Sequence, residues 1–263
     1  MKLPTFFISH GGGPWPWMPE RKAIHHALEQ SLRDMVATLP VTPQAVVMVS
    51  GHWEAAQVGV MSAANPPMEY DYYNFPAHTY EVTYPAPGNP ALAESIVTML
   101  ESAGVAAVAD GDKGFDHGAF VPMHVMYPAA DMPLVQVSML QSYSPQAHVA
   151  MGRALAALRE QGVLLVGSGL SYHNLRLMGP EAHTPSHAFD AWLHETLMLA
   201  PEARMQRVLH WEQAPHARVC HPREDHLVPL FVALGAAEDG QVQRVYHEAG
   251  VYGGVTVSSY RFD

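Results

Sequence analysis

The 263-residue chain has a single cysteine, Cys220, which excludes an internal disulfide framework and a cysteine-rich zinc module. Charge is scarce: 15% of residues are charged, and the formal net charge is −11. Such a surface does not suit nucleic acid or an anionic membrane, and neither is expected as a partner. Long apolar runs are missing too, none approaching the ~18 residues of a membrane helix. The amino-terminal stretch MKLPTFFISHGGG carries one lysine and an apolar run too short for a signal-peptide core, so a cytoplasmic protein is expected.

Hydrophobic residues make up 48% of the chain, enough for a substantial core. No repeat, low-complexity tract or interdomain linker divides it, and a single domain over 1–263 is expected. Short apolar, β-branched or aromatic runs at 4–9, 45–50, 134–138 and 163–167 read as buried strands. The run 255–260 alternates and reads as a strand nearer the sheet edge. Between them, 21–39 places Ile24, Leu28, Leu32, Met35 and Leu39 at helical spacing, with His25 and His26 on its polar side. Residues 90–103, 151–160, 185–199 and 227–234 read as further helices. Strands alternating with helices predict an α/β fold, a central largely parallel or mixed sheet flanked by helices.

Residues 65–90 depart from that pattern. Pro66, Pro67, Pro76, Pro85, Pro87 and Pro90 alternate with Tyr70, Tyr72, Tyr73, Phe75, Tyr80 and Tyr84. A long loop this rich in rings predicts an ordered wall around a pocket.

The abundant residue is histidine, seventeen in all. Position separates them. His10 follows the first strand in Ser9-His10-Gly11-Gly12-Gly13, His52 follows the second in Ser50-Gly51-His52-Trp53, and His173 follows the 163–167 strand. In an open parallel sheet ligands bind beyond the carboxyl ends of strands, so these three rings point to a shared metal or catalytic site. His117, in Gly114-Phe115-Asp116-His117-Gly118, and His226, in Asp225-His226-Leu227-Val228-Pro229, lie at helix starts, where a capping-region polar role and a site role are both open. His183 and His187 read as substrate-lining or exposed, and His194, His210, His216 and His247 as background. Neutral imidazoles suit Zn, Fe, Cu or Ni. Three protein ligands with open positions serve an oxygenase, and the same set with a bound water serves a zinc hydrolase. The His10-Gly11-Gly12-Gly13 run is similar to a lipase oxyanion loop, but no Gly-x-Ser-x-Gly elbow accompanies it.

Taken in order, Ser9-His10-Gly11, Ser50-Gly51-His52-Trp53, Tyr84-Pro85-Ala86-Pro87-Gly88, Gly114 to Gly118, His173-Asn174-Leu175-Arg176 and Asp225 to Leu230 resemble the class III extradiol ring-cleavage dioxygenases, in the DOPA-4,5-dioxygenase-like branch of the LigB superfamily. The resemblance covers nearly the whole chain. It implies a LigB-like fold and an oxidoreductase that opens a catechol-type ring (DOPA, caffeate or similar) with O2. It further implies Fe(II) held by His10, His52 and His226, with Zn(II) an expected occupant in purified protein. His173 would be the acid/base histidine or a fourth ligand, and His117 a substrate-side proton donor. Other class III branches use a glutamate as third ligand, and Glu224 and Asp225 stand beside His226. Phe75, Tyr80, Tyr84 and Trp53 are expected to pack the substrate ring, and Arg176 and Arg223 are candidates to meet a carboxylate. The alternatives are a zinc-dependent hydrolase or amidase and a non-catalytic metal-binding scaffold, and a monomer or homodimer is expected.

Overall fold

A computed structural model describes residues 2–263. The β-branched and apolar runs assemble into an eight-stranded sheet: β1 (Thr5–Ser9), β2 (Ala45–Ala55), β3 (Val58–Met61), β4 (Ala107–Asp110), β5 (Leu134–Leu140), β6 (Val163–Gly169), β7 (Val242–Val251) and β8 (Val255–Phe262). Their order is β4-β3-β5-β2-β6-β1-β8-β7. The central strands β5, β2, β6 and β1 are mutually parallel, so their carboxyl ends share one edge. β3 is antiparallel to β5, and β8 is antiparallel to both β1 and β7. The sheet is therefore mixed, with a parallel centre.

Helices cover both faces. They are α1 (Pro19–Ile24), α2 (His26–Ala37), α3 (Pro90–Ser102), α4 (His117–Met126), α5 (Pro145–Leu155), α6 (His183–Leu197), α7 (Pro201–Leu209), α8 (Ala217–Cys220) and α9 (Val228–Gly235). Successive residues of a strand point to opposite faces. In β6, Gly167 abuts Pro229 of α9, whereas Ser168 donates a hydrogen bond to the Gly118 carbonyl of α4. These two helices thus sandwich the strand and make its residues wholly buried.

Departures from the sequence reading have local causes. The expected helix over 21–39 divides at His25, whose φ of −96° and ψ of 20° leave the helical region. His25 is buried, not on a polar face, and its Nε2 pairs with the Tyr252 hydroxyl at 2.8 Å. The helix expected at 151–160 begins earlier, because Ser144 caps Ala147 N and Pro145 takes the first turn; a 3-10 segment, Ala156–Gln161, follows it. β3 and β4 have four residues each, too few to show a period, and β7 carries the polar sequence of an edge strand. Among the described residues no helix is long and apolar enough to cross a membrane.

Candidate metal centre

Five imidazoles, from His10, His52, His117, His173 and His226, gather at the carboxyl-end edge of β1, β2 and β6, with His52 still inside β2 rather than after it. His10 follows β1 and is 1% exposed. His52 lies where the β2–β5 register breaks between Val49 and Glu54, which turns it out of the ladder. His117 opens α4. His226 precedes α9, its carbonyl accepting from Leu170 N at 2.9 Å just past β6. The same carbonyl lies 2.1 Å from where a Cβ on Gly169 would be, so only glycine lets β6 and the His226 segment meet. His173 is suspended from α8: its N–H donates to the Cys220 carbonyl at 3.0 Å, and Asn174 Nδ2 donates to the Val219 carbonyl at 2.7 Å.

One ring nitrogen from each of His10, His52 and His226 lies within 4.8 Å of the others. Nε2 of His52 and Nε2 of His226 are 3.1 Å apart. Two imidazole nitrogens on one ion, each about 2.1 Å from it, sit roughly 3.0–3.4 Å apart. Both ring nitrogens of His10 are buried without a hydrogen-bond partner. A buried donor or acceptor left unpaired is costly, so a polar group kept in that state calls for a ligand. The donor set therefore fits a cation.

Electrostatics agree with the geometry. Burial first, then the neighbouring imidazoles, hold His10 and His52 well below the ordinary histidine range. Burial and His173 lower His226 to about 4. Neutral rings with free lone pairs are what a cation binds. Burial works to raise the Asp225 carboxyl, but hydrogen bonding and charge from His173 and His226 carry it well below the usual carboxylate range. Its Oδ1 is 3.1 Å from Nδ1 of His226 and 3.5 Å from Nδ1 of His173. The His173 ring stacks on that of His226, centroids 3.4 Å apart.

Beneath the cluster, Asp116 caps α4 by accepting from Ala119 N. It also accepts from Ser50 Oγ at 2.8 Å and Gln136 Nε2 at 2.7 Å, which ties the end of β2 and β5 to the start of α4. Burial raises its carboxyl above the ordinary value. The capping role that the sequence left open for the 114–118 motif thus belongs to Asp116, and His117 is free for the site.

The structure brings His10, His52, His117, His173 and His226 together; Glu224 pairs with Arg218, and Asp225 lies against Nδ1 of both His226 and His173. Two of the four expected substrate-side rings are elsewhere. Trp53 lies over Gly59 of β3 with Lys113 against its ring, because it follows His52 on an extended strand and faces the other way. Tyr84 is buried, its hydroxyl donating to the Tyr127 carbonyl at 2.9 Å. Phe75 abuts Gly13 beside the His10 turn, and Tyr80 is packed at 5.2 Å from Tyr72. Of the loop rings, the one beside His117 is Tyr72, at 5.7 Å, which the sequence reading named in the loop but not among the four substrate-side rings. His183 and His187 are exposed on α6. Arg223 is engaged by Glu54 and Tyr143.

Also missed was Asp71. Its Oδ1 accepts from Nδ1 and from the backbone N–H of His117, each at 2.9 Å, and its Oδ2 lies 3.1 Å from Nδ1 of His52. Burial pushes its carboxyl up, and the hydrogen bonds and charge of His117 outweigh that and lower it.

Imidazoles massed at the carboxyl ends of parallel strands define a class, the α/β enzymes that work through a strand-end metal ion. Within that class the family is specific. Residues 4–263 match the catalytic LigB subunit of aromatic ring-opening dioxygenases, and the chain belongs to that family of ring-cleaving oxidoreductases. It is 36% identical to a dioxygenase of Hapsidospora irregularis, over 98% of this chain and 84% of that one. It is 35% identical to the 4,5-DOPA dioxygenase extradiol of Beta vulgaris, over 98% and 96% of the two chains. The Escherichia coli K12 protein of the same name is 35% identical over 91% of this chain and 87% of its own. A crystal structure of an uncharacterised E. coli K12 protein superposes with a TM-score of 0.81 at 29% identity, covering 100% of both chains. The family implies a metal cofactor, an aromatic substrate and O2.

Proposed function

We propose that the enzyme cleaves a catechol-type ring with O2 outside the two hydroxyl carbons, using Fe(II) held by His10, His52 and His226. The observation that carries this reading is the pair of partnerless nitrogens on buried His10, facing two further imidazoles whose Nε2 atoms are 3.1 Å apart. Iron bound there supplies Lewis acidity toward the catechol oxygens and an electron relay between ring and O2. The chain's own residues do the rest. Nδ1 of His117 is engaged by Asp71, which leaves Nε2 to accept a hydroxyl proton from the arriving catechol. His173, with Nδ1 toward Asp225, takes the second catechol hydroxyl proton at Nε2 and returns it to oxygen as the ring opens. Tyr72, Phe75 and Tyr80 wall the substrate face and keep bulk water from it. The names of the relatives make DOPA the first substrate to test, followed by caffeate and other catechols bearing side chains.

The test is anaerobic loading with Fe(II) or Zn(II), followed by a catechol panel read by O2 uptake and the yellow semialdehyde. Turnover is expected with iron and not with zinc. His173→Ala should keep the metal yet lose about 10²–10⁴-fold in kcat, the usual worth of a positioned acid/base group. A His173→Ala protein that cleaves catechols at the wild-type rate, or an iron-loaded wild type inert to the whole panel, removes the reading.

A further inference from the structure

Asp71 belongs to the aromatic loop, not to the frame that carries the histidines. The loop is pinned beside it: Glu69 N donates to the Phe115 carbonyl and Phe115 N to the Pro67 carbonyl, each at 2.8 Å. Farther along, Tyr70 Oη donates to the Val82 carbonyl at 2.7 Å, and Thr79 Oγ1 to the Pro76 carbonyl at 2.8 Å. The carboxylate is thus presented on a fixed backbone, its side chain 23% exposed.

Its two oxygens divide between two different histidines. Oδ1 takes Nδ1 and the backbone N–H of His117; Oδ2 faces Nδ1 of His52, and the two rings lie 3.9 Å apart. A neutral imidazole carries one proton, and the group facing one nitrogen decides which nitrogen keeps it. A carboxylate can only accept, so its hydrogen bond selects the Nδ1–H tautomer of His117, and its charge 3.1 Å from Nδ1 of His52 favours the same tautomer there. In His52 that frees Nε2, the atom 3.1 Å from Nε2 of His226.

We propose that Asp71 is a positioning residue whose one carboxylate sets the tautomer and ring orientation of His52 and His117 together, joining the ion site to the substrate-side histidine. The inference rests on the reading of His52 as a metal ligand. On this reading Asp71 acts through His52 and His117. Asp225 stands in a similar relation to His226 and His173, at 3.1 and 3.5 Å, but the Asp71 contacts are closer and come from a separate segment of chain.

Asp71→Asn keeps the shape of the side chain but offers a donor to one of the two rings; Asp71→Glu keeps the charge at longer reach. Each is loaded with Zn(II) against a competing chelator, and the imidazole nitrogens are read by 1H–15N correlation in the zinc form; kcat and KM follow with Fe(II). In Asp71→Asn, Zn(II) affinity is expected to fall about 10–100-fold, the usual loss when the partner of a metal-bound histidine is removed. The Nδ1–H signals of His52 and His117 should shift, and kcat of the fully loaded enzyme should drop with KM little changed. Asp71→Glu should restore part of both. An Asn variant that binds Zn(II) as tightly as wild type with unmoved imidazole signals overturns the proposal, even if its melting temperature falls, since that marks a loop anchor only. His52→Ala serves as the control. If it binds Zn(II) like the wild type, the ligand assignment itself has failed; if it loses the ion while Asp71→Asn does not, only the role of Asp71 has.

Discussion

His148 and His221 show what burial does to an imidazole outside the metal centre. Both are fully buried; His148 Nδ1 sits 2.7 Å from the Ser144 carbonyl, and His221 Nε2 sits 3.1 Å from the Ser171 carbonyl. Desolvation lowers His148 to about 4 and His221 to about 3, and it likewise lowers His25 to about 4. The folded protein therefore takes up these protons later than the unfolded chain, whose histidines titrate near 6.5. Above about pH 6.5 both states hold the rings neutral and the stability is complete; as pH falls toward 4 the unfolded state gains protons and stability is lost. Scanning calorimetry of metal-free protein should show a melting temperature that is flat from pH 8 to 7 and falls steadily from about 6.5 to 4. A profile flat through that window contradicts the neutral burial of these rings. At this scale, the legible residues were those fixed by the backbone itself. His10 and His173 stand just past strands and His52 near the end of β2, so a strand pattern locates them. Asp71 and Tyr72 reach His117 across some forty-five residues from an aperiodic loop, and no local pattern records that contact. Trp53 and Tyr84 had the right chemistry but not the right direction.

Elements meet the site through close backbone approach. β6 and the segment before α9 are held together by Leu170 N donating to His226 O, with Gly169 beneath. Gly118 has the same function on the other face: a Cβ there would come within 2.3 Å of Ser50 Oγ and 2.9 Å of His52 Cδ2. A methyl at Gly169 cannot be accommodated by a rotamer change, because what it meets is backbone. Gly169→Ala should therefore displace His226, weakening Zn(II) binding by at least about tenfold and destabilising the fold by 1–3 kcal/mol, the usual cost of overpacking. Metal titration and urea unfolding of the variant check both figures; unchanged affinity would mean that the His226 segment adjusts freely. The long, strongly patterned elements β1, β2, β5, β6, α3 and α9 were readable in advance. β3 and β4 were too short, and β7 too polar, to announce themselves. The break between α1 and α2 arises from a tertiary contact, His25 with Tyr252, which helical periodicity does not encode.

Across the whole molecule, the order β2-β6-β1 is what brings the ends of distant segments side by side. The β7–β8 hairpin extends that sheet past β1 and returns to the site through its tip. Tyr252, in the left-handed region at φ 53°, places its hydroxyl 2.8 Å from His25 Nε2 and against Gly12, two residues past His10. Tyr252→Phe leaves the buried His25 nitrogen unpaired and should lower stability by about 1–3 kcal/mol. Chemical denaturation measures it, and a loss below about 0.5 kcal/mol would show that the hairpin tip contributes nothing through this bond.

The histidines sit on strands and helix starts, while Tyr72, Phe75 and Tyr80 arrive in one continuous stretch of chain. With those rings walling the substrate as proposed, grafting that stretch from a relative would transplant its selectivity for the aromatic guest without recasting the ion-binding frame. Asp71 qualifies this modularity. The exchangeable piece also carries the carboxylate that lies against two frame histidines, so, with the role proposed for Asp71, a donor segment lacking an acid at that point would import a new preference and disarm the enzyme in the same step.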